Sequence, residues 1–69
     1  MTNKELLIKE IKGMRNEVYQ ARGYVGDLAV GYMYEDFLGV KNTIPTNATI
    51  EQIEGLYEAM VNFISDHRI

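Results

Sequence analysis

Apolar residues recur through the first part of this chain at alternating spacings of four and three. Leu7, Ile11, Met14, Val18 and Ala21 follow that rhythm, and a helix of 3.6 residues per turn gathers residues so spaced into one stripe. The stripe predicts a helix over 3–22. Thr2-Asn3-Lys4-Glu5 stands before it in the form of a capping box, with a side-chain oxygen for the orphan backbone donors and a glutamate reaching back. Leu6 and Ile8 widen the apolar face, and Gly13 weakens the helix interior.

Two readings compete beyond residue 22. Gly23 and Gly26 flank Tyr24-Val25, a pairing that suits a helix end and a turn. A second helix would then start at Asp27 and stop at Gly39. Alternatively, Val25, Leu28 and Tyr32 extend the four-three rhythm through Gly23, which describes one long, glycine-weakened helix. The turn is preferred, with a helix over 27–39. Residues 40–48 hold the only proline, Pro45, among turn formers, so they predict a surface loop. Thr49-Ile50-Glu51-Gln52 is a second capping box. It opens a helix over 50–67 whose stripe is Ile50, Ile53, Leu56, Tyr57, Met60, Phe63 and Ile64.

The expected fold is all-α: a small three-helix arrangement, a helical hairpin plus a C-terminal helix, in a single domain over residues 1–69. A chain of 69 residues without cysteine has neither disulfides nor thiolate metal sites to reinforce a small core. Homo-oligomerisation is therefore expected to complete it. The start of the chain lacks a charged stretch followed by an apolar block, and no apolar run reaches membrane-spanning length, so a cytoplasmic protein without membrane partners is expected. Asn47-Ala48-Thr49 matches a glycosylation sequon but reads as a helix start in that setting.

Catalysis finds little support. Glu35 and Asp36 are adjacent and diverge by about 100° on a helix, so they cannot oppose each other as acid and base. Ser65 and His67 lie in the last turn, where nothing holds them, and His67 with Arg68 suits the helix C-terminus. One histidine, no cysteine and scattered carboxylates give no metal site, and no cofactor is expected.

Recognition is the better expectation. Tyrosine offers a flat face and a hydroxyl that stays wet, and it concentrates at interfaces. Tyr24, Tyr32, Tyr34 and Phe37 lie close together in sequence, beside Glu35 and Asp36. Either Tyr32 and Phe37 fill the core while Tyr24 and Tyr34 face solvent, or at least two of the tyrosines form a working surface. Charge is also divided: residues 1–22 carry five basic side chains against three acids, and residues 23–69 carry seven acids against Lys41 and Arg68. Glu51, Glu54 and Glu58 form one acidic ridge opposite the apolar stripe of the last helix.

A net charge of −3 argues against direct nucleic-acid binding. The expected function is a small acidic inhibitor or regulator that occupies another protein's surface through Tyr24, Tyr32, Tyr34, Glu35, Asp36, Phe37, Glu51, Glu54 and Glu58. The expected source is a phage or other mobile element, and the expected target a host protein. A second reading is an oligomer holding a nucleotide-type ligand between Arg15, Arg22, Tyr24 and Tyr34, although no phosphate-loop pattern is present. A third is a structural subunit whose role is assembly alone.

Overall fold

The computed structural model describes residues 3–66, which form two helices, α1 (Asn3–Leu38) and α2 (Ile50–Asp66), with no strand among them. A straight helix of 36 residues would be about 54 Å long, yet the molecule measures 29 × 21 × 17 Å. The difference lies at Gly23. Its φ of 71° and ψ of −150° are non-helical, in a region open essentially to glycine. This one residue folds α1 back on itself as two limbs, 3–22 and 24–38. Arg15 and Asp27 would stand about 18 Å apart along a straight helix, and they meet at 2.8 Å.

The two limbs occupy the places of the first two expected helices, and the difference from the expected layout is where they join. No separate helix begins at Asp27, and no turn spans 23–26; helical geometry resumes directly after Gly23. Asp27 is therefore an interior helical residue, with its side chain used in an ion pair and not as a cap. The first capping box includes Thr2 and lies in part outside the described residues, as do His67 and Arg68.

The break also resets the helical phase. On the first limb Ile11 and Val18 are fully buried and Leu7 and Met14 pack beside them, while Ala21 is exposed. On the second limb the buried positions are Gly26, Val30, Gly31, Tyr34 and Leu38. The continuation of the sequence stripe, Val25, Leu28 and Tyr32, faces outward. α2 supplies Ile53, Leu56 and Met60 to the core, with Tyr57, Phe63 and Ile64 partly buried. Ile50, expected in that stripe, is exposed.

Both ends of the connection 39–49 follow from local chemistry. Gly39, at φ 80°, adopts the left-handed conformation of a helix terminator and donates its N–H to the Glu35 carbonyl at 2.9 Å. The second capping box is formed reciprocally: Gln52 N donates to Thr49 Oγ1 at 3.1 Å, and Thr49 N donates to Gln52 Oε1 at 2.8 Å. Between them the chain runs over the surface, with residues 39–43, 46, 47 and 49 exposed, and is anchored at a few points. Ala48 is buried and Ile44 packs against the core, while Lys4 Nζ donates to the Thr46 carbonyl at 3.3 Å.

Candidate functional site

Folding at Gly23 brings limb 24–38 alongside limb 3–22 and leaves one side of the second limb uncovered. Tyr24, Leu28 and Tyr32 are spaced four apart and fall along one helical row, with Val25 beside it. They are 68%, 42%, 56% and, for Val25, 76% exposed. Glu35 and Asp36 continue this outer side toward the end of the limb and are exposed as well. Lys41 reaches over from the connection and sets its ammonium 4.9 Å from the Tyr32 ring centroid.

Beneath that face Arg15 ties the limbs together. Its Nε donates to Asp27 Oδ1 at 2.8 Å and its Nη2 to Asp27 Oδ2 at 3.2 Å, a two-point contact, while Nη1 donates to the Lys41 carbonyl at 2.8 Å. The guanidinium also lies 4.6 Å from the Tyr34 ring centroid, where the ring's negative face attracts it. The electrostatic consequences follow. Arg15 holds the Asp27 carboxyl below the usual carboxylate range. Asp27 in turn holds Arg15 protonated above its ordinary value. Burial raises the Tyr34 hydroxyl, against the opposing pull of Arg15.

Two grooves flank this clasp and share Arg15, Asp27 and Asn42 in their walls. The larger, of 370 Å³, adds Lys12, Asn16, Tyr19, Tyr34 and Ile44. The smaller, of 230 Å³, adds Tyr24, Leu28, Gly31, Tyr32 and Lys41. Among the described residues no three of His, Asp and Glu converge in a way that could hold a metal ion, and no helix is long and apolar enough to cross a membrane.

The expected partner-binding residues are split between surface and core. Tyr24 and Tyr32 are exposed, but Tyr34, at 2% exposure, is a core residue. The phase set after Gly23 turns position 34 inward with 26, 30 and 38, so Tyr34 cannot belong to the outer face, and Tyr32 does not fill the core. Phe37 is exposed, with its ring close over Gly55 of α2. Glu51, Glu54 and Glu58 are exposed along α2, on the side away from Ile53, Leu56 and Met60.

The four residues expected around a nucleotide are likewise separated. Arg15 and Tyr34 meet, and Tyr24 lies in the adjoining groove, but Arg22 stands on another side with its guanidinium 6.0 Å from the Phe63 ring centroid. Arg15 spends its fork on Asp27 and a backbone carbonyl, both within the chain. Sequence reasoning left Val25, Leu28 and Lys41 off the candidate surface. The first two carry a signal, since they extend the four-three stripe; Lys41 carries none, because its position depends on how the connection packs. Comparison of the chain with protein-family models, with curated proteins and with solved structures finds no match.

Proposed function

We propose that this chain is a protein-binding module, an inhibitor or regulator that docks on another protein through Tyr24, Val25, Leu28 and Tyr32, without catalytic chemistry of its own. The observation that carries this reading is the exposure of these four residues on one side of one limb. An apolar, aromatic face left in water by a small chain marks an interaction surface. Glu35 and Asp36 extend it with negative charge, and the Glu51, Glu54 and Glu58 ridge offers a second contact to a basic partner surface. The paired state of Arg15 and Asp27 fits a role in holding the limbs, not in turning over a substrate.

A photo-crosslinking residue placed at position 28 in cells that produce the protein should give a discrete adduct with another protein, and the same residue at Lys9 should not. Equal labelling from both positions would count against the face. Self-association is the second part of the proposal, because a second copy can cover the same apolar side chains. Sedimentation should show a mass that rises with concentration, with a melting temperature that rises alongside it. A constant monomer mass would remove that part.

A further inference from the structure

The four-three rhythm does not end where the folded chain stops using it. Leu7, Ile11, Met14, Val18, Ala21, Val25, Leu28 and Tyr32 alternate without a slip across Gly23, yet the fold buries Ile11 and Val18 with Leu7 and Met14 packed beside them and exposes Ala21, Val25, Leu28 and Tyr32. Written as heptads, Ile11, Val18, Val25 and Tyr32 take the a positions and Leu7, Met14, Ala21 and Leu28 the d positions. Ile11, Val18 and Val25 are β-branched at a and Leu7 and Leu28 are leucines at d, the types that favour a parallel two-stranded coiled coil, with Tyr32, Met14 and Ala21 the departures.

The flanking charges select the same arrangement. Glu10 and Glu17 fall at g, and Arg15 and Arg22 fall at e, five residues on. In a parallel pair each g position meets the e position of the following heptad on the other strand. Glu10 then faces Arg15 of a second copy, and Glu17 faces Arg22. In an antiparallel pair g meets g and e meets e, which sets glutamate against glutamate and arginine against arginine.

We propose that α1 has a second, straight state, in which Gly23 turns helical and two copies pair in parallel along Leu7 to Tyr32. The proposal rests on the self-association reading above and specifies its geometry. Glycine is the residue that can occupy both the bent and the helical conformation at position 23. The two states exclude each other, because Ile11 and Val18 serve the folded core in one and the seam in the other. Arg15 correspondingly exchanges Asp27 for a glutamate of the second copy. α2 need not leave limb 24–38 in this exchange: Val30 and Phe37, which face the core and Gly55, lie across the helix from Val25, Leu28 and Tyr32.

The chain contains no cysteine, so spin labels at Lys9→Cys and Asp36→Cys report α1 alone when labelled chain is diluted into unlabelled chain. The straight state places them about 40 Å apart, whereas the bent molecule is 29 Å in its longest extent. The long distance should grow with protein concentration, together with a dimer mass. Gly23→Ala denies the bent backbone and permits the helical one, so it should make the long distance and the dimer dominant. Glu17→Lys should weaken the dimer by about tenfold or more, since it sets lysine against arginine twice per dimer, while leaving the bent monomer folded. A dimer showing only the short distance overturns the straight seam and leaves self-association standing. A Gly23→Ala chain that stays monomeric, folded or not, overturns the straight seam, and a wild-type chain that remains monomeric and bent at every concentration overturns both.

Discussion

Arg15 bonds across the fold, its fork joining both limbs of α1 and the connection after them. Its ion pair with Asp27 is partly exposed, so its contribution is modest: Asp27→Asn is expected to cost about 1 kcal/mol near neutral pH. The folded carboxyl titrates below its ordinary value of 3.8 because of Arg15. Its contribution is therefore complete above the unfolded value and disappears as pH falls through the folded one. Urea melts at neutral and acidic pH should show the wild type losing this increment on acidification, and Asp27→Asn losing less. Tyr34 gives the opposite limb. Its hydroxyl is raised above 10.0 by burial, so its contribution is complete below that value and is lost as pH rises through the folded value. Tyr34→Phe should be less sensitive to alkali than the wild type, read by the midpoint of alkaline unfolding.

Helix ends and helix interiors respond to different chemistry. The reciprocal Thr49 and Gln52 bonds satisfy donors that begin α2, and Thr49→Ala is expected to cost about 1 kcal/mol, measured by chemical denaturation. Glycines within α1 divide by surroundings. A Cβ at Gly13 meets nothing within 4 Å, so Gly13→Ala should stabilise by about 0.5–1 kcal/mol through the gain in helix propensity. A Cβ at Gly26 would stand 2.7 Å from Arg22 Cβ and 2.9 Å from Val18 Cγ1. Gly26→Ala should therefore lower the melting temperature despite the same propensity gain, because limb 24–38 crosses the first limb at that point. A rise for both substitutions would show that the limbs separate readily there.

A domain of this length has roughly 3.5–10 kcal/mol of stability in total. Its core is a small set of aliphatic side chains from three directions: Ile11 and Val18, Val30 and Leu38, and Ile53, Leu56 and Met60, with Tyr34 and Ala48 completing it. Leu56 is fully buried, and Leu56→Ala is expected to cost about 2–5 kcal/mol, most of what the molecule has. A chain that retains a cooperative melt at the wild-type temperature after this change would contradict the packing described.

Local signals carried much of this architecture. Helix existence, the glycine stop at 39, the proline-bearing connection and the cap of α2 rest on side chains acting within a few residues of themselves, so they are legible in order along the chain. The exposed acidic ridge of α2 is legible for the same reason, since one helix and one apolar stripe define it. The face of limb 24–38 was not. Periodicity favours Val25, Leu28 and Tyr32 as the buried row, and only the backbone angles at Gly23 decide that Gly26, Val30, Tyr34 and Leu38 turn inward instead. The pairing of Arg15 with Asp27 is likewise a product of that bend, as is the placement of Lys41 over Tyr32. A glycine accepts several backbone conformations at little cost, so what its neighbours gain by packing chooses among them, and that gain exists only in three dimensions.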